Sequence, residues 1–165
     1  MRTAFVAIRA ILWAAVFILL WGWLAVSARR YDARISIEVP PAARIPGIAL
    51  MIPGGLLVLA CVGSFVLRGQ GTPAPFDPPR VFVATGPYRY VRNPMYLGAG
   101  VFLLGFGLFE GSPSILLLTA AAWVVAQIFL IVYEEPDLED RFGSSYTDYK
   151  KAVHRWIPRR PPSSS

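Results

Sequence analysis

Four stretches of the chain carry no charge, and the ionic residues gather between them. The first covers residues 10–27, AILWAAVFILLWGWLAVS, and the second residues 47–67, relieved only by Pro53, Gly54 and Gly55. A third, residues 95–109, is short, and the turn Glu110-Gly111-Ser112-Pro113-Ser114 separates it from a fourth over residues 115–133. A bilayer core of about 30 Å is crossed by roughly 20 helical residues, so the pattern predicts about four transmembrane helices. So brief a turn holds only a helical hairpin, which sets the last two spans antiparallel. Beyond them, Leu138, Phe142, Tyr146, Tyr149 and Val153 recur at helical spacing, with Gly143 as an interruption and Lys150, Lys151 and Arg155 elsewhere. That pattern predicts amphipathic tail helices that lie on the membrane or cap a pocket. The expected fold class is therefore all-α integral membrane. One integrated domain is expected, with two helices in residues 1–70 and a loop, the hairpin and the tail in residues 71–165.

Composition sharpens this reading. Hydrophobic residues make up 55% of 165 and charged residues 16%, where soluble domains carry about a quarter charged. Disorder is excluded by the apolar content, and a disulfide scaffold by the solitary Cys61. The first apolar run exceeds a signal-peptide core, so an uncleaved span is expected despite the small residues at Val26-Ser27-Ala28. With the N-terminus placed in the cytoplasm, twelve of the 16 Lys and Arg fall on that side, and only Arg29, Arg30, Arg34 and Arg44 on the other. The bias predicts a multi-pass protein with both termini cytoplasmic, in a bacterial inner membrane. The net charge of +6 then reflects topology and attraction to membrane lipids, with no nucleic-acid partner required. One histidine and one cysteine leave no metal site to expect.

Candidate chemistry sits where polar groups meet the spans. Residues 71–79 hold four prolines and predict a stiff extended lead-in. After it come Gly86-Pro87-Tyr88 and Arg89-Tyr90-Val91-Arg92-Asn93-Pro94-Met95-Tyr96. Pro94 drives Asn93 out of the helical region and suits a first helical turn, so the third span is expected to begin there. Arg92 and Asn93 then stand at a helix N-terminus, where free N–H groups favour an anion. Gly98, Gly100, Gly105 and Gly107 recur at intervals of seven; close helix packing explains the latter two, while Gly98 and Gly100 could also admit a ligand. The fourth span ends in Glu134-Glu135-Pro136, two carboxylates at the negative end of a helix dipole, which suggests a cationic partner. Gln127, seven residues earlier, lies on nearly the same face.

In that order the residues resemble the membrane methyltransferase family of isoprenylcysteine carboxyl methyltransferases and phosphatidylethanolamine N-methyltransferases. The resemblance rests on Gly86-x-Tyr88, on Arg92-Asn93-Pro94-x-Tyr96-x-Gly98, on Glu134-Glu135 and on Leu138 through Phe142-Gly143, Tyr146 and Tyr149, and spans about residues 80–158. It implies S-adenosylmethionine as cofactor, contacted by Val81, Phe82, Val83, Tyr88, Asn93, Pro94, Met95, Tyr96, Gly98, Gly100 and Glu134. The family's usual histidine is Asn93 here, which cannot titrate, and Leu130 stands where eukaryotic carboxyl methyltransferases carry a substrate-binding arginine. That departure weakens the case for prenylcysteine carboxylate methylation.

The expected reaction is in-line methyl transfer to a lipophilic small molecule, lipid or prenylated substrate bearing a carboxylate, amine or thiol. Arg92 is the expected catalytic residue that orients an anionic group, and Glu135 a proton acceptor for an amine. Two other readings remain open from sequence: an NADPH-dependent membrane reductase of related architecture, and a non-catalytic scaffold or lipid-binding subunit.

Overall fold

Each apolar run folds as a helix, and most helices outlast their runs. In the computed structural model, which describes residues 2–69 and 84–158, the helices are α1 (Arg2–Arg29), α2 (Arg44–Ser64), α3 (Pro94–Glu110), α4 (Pro113–Phe129), α5 (Glu135–Phe142) and α6 (Ser144–Ala152). Three segments are long and apolar enough to cross a membrane: Ile11–Arg29, Pro41–Leu67 and Pro113–Phe142. The 17 residues of α3 reach about 25 Å at 1.5 Å per residue, short of a full hydrocarbon core. The protein is thus a multi-pass, all-helical membrane protein whose third apolar helix is the short one.

The closest packing in the fold is between α2 and α3, where backbone meets backbone. A Cβ on Gly47 would lie 2.7 Å from the Gly105 carbonyl oxygen, and one on Gly54 would lie 2.8 Å from that of Gly98. The two pairs run in opposite order along the chain, so the helices are antiparallel. Lipid is as apolar as leucine, so such association relies on van der Waals contact that only small residues permit. The other two glycines of α3 turn toward α4: Gly100 lies against the Trp123 ring and Gly107 against Leu116 and Ile115.

The hairpin forms as its turn residues dictate. Gly111 adopts φ 65°, a left-handed conformation that ends α3. Ser112 then caps α4 by accepting from the Ile115 N–H, with Pro113 in the first turn. The connection between α1 and α2, which reads as a plain solvated linker, is instead tied to this hairpin. Asp32 accepts from the Ser112 hydroxyl at 2.8 Å and from the Ser114 N–H at 3.0 Å, and Arg29 pairs with Glu110. Five polar groups thereby fasten the first connection to the turn at one end of the bundle.

At the opposite end the fourth span does not stop at Pro136. A π-helical turn, Leu130–Glu134, carries α4 directly into α5. Proline lacks an N–H, so a carbonyl of the preceding turn loses its partner, and the wider turn accommodates this without breaking the rod. Gly143, with φ 54°, then makes the sharp bend into α6. The bend folds the tail back over the start of α3.

The packing yields a direct stability test. Gly54→Ala is expected to destabilise the protein by about 1–3 kcal/mol, because its new methyl group would meet the α3 backbone. Gly22→Ala, at a position with nothing within 4 Å, is expected to leave thermal unfolding in detergent unchanged or slightly improved.

Candidate active site

The bend at Gly143 gathers four segments at one end of the bundle: the turn Gly86–Arg89, the start of α3, the π turn before α5, and the tail. Pro87 and Pro94 bracket the first two. Gly86 needs its φ of 61°, and a Cβ there would clash with the Ser64 hydroxyl of α2. The turn is thereby pressed onto α2, where the Phe65 ring stands edge-on to Tyr88 with centroids 5.4 Å apart. Tyr88 is held from the other side too, its carbonyl accepting from the Tyr149 hydroxyl.

Residues 92 and 93 are pinned through the backbone by the tail. The Arg92 N–H donates to the His154 carbonyl at 2.9 Å and the Asn93 N–H to the Arg155 carbonyl at 3.4 Å. Asparagine at a helix N-cap ordinarily turns its side chain back onto the first turn. Asn93 does not; it is 8% exposed, and its Nδ2 has no hydrogen-bond partner. Buried beside it, Arg92 leaves Nε without an acceptor while its Nη1 pairs with Glu135, and Thr85 leaves its hydroxyl unpartnered. A buried donor without an acceptor is costly, on the order of 1–3 kcal/mol. Three such atoms within residues 85–93, next to a helix start whose own N–H groups lack intrahelical acceptors, have the chemistry to receive an anion.

The two glutamates, one residue apart and so about 100° apart around the helix, meet different neighbours. Glu135 is 4% exposed and accepts a two-pronged bond from Arg155, Nε to Oε1 and Nη2 to Oε2, each 2.9 Å. Arg92 Nη1 lies 3.3 Å from Oε1 and Lys150 Nζ 3.6 Å from Oε2. Glu134 accepts only the Tyr96 hydroxyl, at 2.7 Å, and among the described residues no cation pairs with it. Among the described residues, one acid is saturated with positive charge and its neighbour has none. The same cluster acts on the tail. Its bond to Glu135 raises the Arg155 guanidinium further, and burial with Glu135 nearby pushes the Tyr146 hydroxyl up to about 12.

The expected residues therefore meet, with differences in role. Tyr88, Arg92, Asn93, Pro94, Met95, Tyr96, Glu134 and Glu135 all belong to this end, and Pro94 is buried at the first position of α3. Gly98 faces the α2 backbone and Gly100 the Trp123 ring, so helix packing accounts for both. Glu135, expected as a proton acceptor, has both oxygens engaged by cations. Val81, Phe82 and Val83 lie outside the described residues. Sequence reasoning missed Arg155, whose signal was faint: a cation after the last buried tail position, Val153.

Comparisons with known proteins identify the family to which the chain belongs. The phospholipid methyltransferase family model matches residues 42–145, from the start of α2 into α6, and so takes in every expected site residue. The chain is 35% identical over 99 residues to methanethiol S-methyltransferase 1 of Bradyrhizobium diazoefficiens, covering 60% of this chain and 32% of that protein. It is 37% identical over 84 residues to protein-S-isoprenylcysteine O-methyltransferase of Schizosaccharomyces pombe, covering 49% of this chain and 34% of that one. These matches span about a third of the relatives' length.

Glu135→Ala is expected to cost about 3 kcal/mol, the low end for a broken buried ion pair because Arg155 is partly exposed. Differential scanning fluorimetry checks the loss of stability. Limited proteolysis should then cut the released tail after Gly143 while the helical hairpin stays intact.

Proposed function

Because the chain belongs to the phospholipid methyltransferase family, we propose that it transfers the methyl group of S-adenosylmethionine to a lipophilic acceptor reaching the site from the bilayer. The observation that carries this reading is the charge pattern. Glu134, a carboxylate with no cation among the described residues, is bonded to Tyr96 in the first turn of α3, and unpartnered donors of Arg92 and Asn93 stand at the start of the same helix. The amino-acid portion of that donor is a zwitterion with matching ends: its ammonium suits Glu134, and its carboxylate suits Asn93 and Arg92. When bound, the donor supplies a methyl group on a positively charged sulfur.

The chain's own residues have little covalent work to do. In the displacement an acceptor atom bonds to the methyl carbon as the carbon–sulfur bond breaks, and the electron pair returns to sulfur. Alignment and exclusion of water supply the rate. Tyr96 fixes the Glu134 carboxylate, Pro94 sets the helix start, and the tail covers the mouth from the polar side. Glu135 serves to hold Arg92 and the tail in place, since its oxygens are committed to cations. Gly98 and Gly100 serve the packing that places α3. A thiolate or carboxylate acceptor needs no base, and an amine acceptor would have to arrive deprotonated.

Family membership favours methyl transfer over nicotinamide-dependent reduction, and the acid with no cation among the described residues supports a donor site over a passive scaffold. The relatives' names span a small thiol and a prenylated cysteine, so the acceptor class is open between those extremes. With most Lys and Arg at the site end and in the tail, this end faces the cytoplasm, where the donor is made, and an inner membrane is the natural home.

Glu134→Gln preserves size and removes charge. Calorimetry on purified protein in detergent is expected to show at least a tenfold loss of affinity for both S-adenosylmethionine and S-adenosylhomocysteine, roughly 1.4 kcal/mol or more. The product retains the ammonium and loses only the sulfonium charge. An effect confined to S-adenosylmethionine would therefore assign Glu134 to the sulfur instead.

A further inference from the structure

Just past the residues that clasp the site, the tail sends an indole into the apolar part of the bundle. Trp156 follows Arg155, whose side chain is forked onto Glu135 and whose carbonyl accepts from Asn93. From that fixed point the Trp156 ring reaches the face of α4, where it lies tilted over Trp123 with centroids 4.5 Å apart. Its Nε1 donates to Gln127 Oε1 at 2.8 Å. Gln127 is an amide well inside an apolar helix, where an unpaired polar group is costly, and the tail indole supplies its partner. Trp123 in turn fills the space above Gly100 on α3; a Cβ on that glycine would come within 2.8 Å of its ring. Trp123 thus fills the seam between α3 and α4 at the depth of Gly100, one turn below Tyr96, and Trp156 stacks on it from the tail.

We propose that Trp156 is a specificity-determining residue, which limits the methyl acceptor to small apolar molecules by filling the seam that a long lipid chain would need. The proposal rests on the methyltransferase reading above and adds the size class of its acceptor. A chain of isoprenoid length lying along α3 and α4 from the Glu134 corner would have to pass both rings, whereas a molecule of a few heavy atoms would stay near Tyr96, short of them. Gln127 acts through Trp156, as the group that fixes the indole across the seam. Nothing in the α3 start or in the glutamate pair would discriminate by chain length, so the discrimination falls to the tail.

The test compares two acceptors in full-length protein, with label counted from methyl-labelled S-adenosylmethionine. One probe is methanethiol and the other N-acetyl-S-farnesylcysteine. The wild type is expected to methylate the thiol with the higher kcat/KM. Trp156→Ala is expected to raise the kcat/KM ratio of farnesylated to small acceptor by about tenfold or more, in the range that a changed apolar pocket commands. Gln127→Leu, which keeps the volume and frees the indole, is expected to shift the ratio the same way by a smaller factor and guards against a Trp156 variant that fails to fold. Donor affinity, measured by calorimetry in the same samples, should stay within about twofold of the wild type, since neither residue touches the charge pattern. A wild type that prefers the farnesylated probe, a ratio unmoved in both variants, or donor binding with transfer to neither probe would each overturn the proposal. A wild type that binds no donor at all would overturn the methyltransferase reading itself.

Discussion

A carboxylate withdrawn from water has to be answered by positive charge or hydrogen bonds, and this protein answers one of two adjacent acids completely and the other hardly at all. Glu135 collects Arg155, Arg92 and Lys150; Glu134 receives a tyrosine hydroxyl. Ion pairs of this kind add little net stability over well-packed apolar residues, but they specify a geometry, because breaking one leaves a bare charge behind. Here the geometry specified is the tail's return to the helix bundle. Lys150 and Arg155 come from the tail, Arg92 from the entry to α3, and Glu135 from the rod that continues α4. A single carboxylate therefore fixes three segments, and its neighbour is left with the Tyr96 hydroxyl.

That arrangement depends on how closely α2 and α3 approach. Backbone contact at Gly47 with Gly105 and at Gly54 with Gly98 fixes the height of α3 in the bundle, and with it the level at which Pro94 begins the helix. Seven residues further along the same stripe, Cys61 is fully buried beside Tyr88. The small-residue seam thus ends directly beneath the turn that carries the site. At the other end, Asp32 and Arg29 secure the hairpin turn, so α3 and α4 are held at both ends while their middle carries the stacked indoles.

Much of this was legible in the chain. Apolar runs located the spans, Glu110 to Ser114 announced the hairpin, and Pro94 marked the start of α3. The ordered set from Tyr88 to Glu135 located the site, because polar groups at the edge of hydrocarbon are expensive and stand out. Less legible was anything decided by the partner across a gap. Gly47 and Gly54 read as an ordinary weakness in a span until α3 lies against them, and Asp32 reads as linker until Ser112 and Ser114 donate to it. The distinct fates of Glu134 and Glu135 depend on where the tail returns, which follows from the φ of Gly143 and not from local periodicity. Gln127 looked like part of the acidic face; its partner proved to be an indole 29 residues away.

The central claim is that the uncompensated Glu134 and the unpartnered donors of Arg92 and Asn93 together read a zwitterion. A structure of the protein with S-adenosylhomocysteine bound tests it most directly. The claim predicts the product's amino group within hydrogen-bond distance of Glu134 and its carboxylate on Asn93 Nδ2 and Arg92, with the Arg155–Glu135 fork intact. A product bound with its amino-acid end away from this corner, or with Glu134 still satisfied by Tyr96 alone, would contradict it.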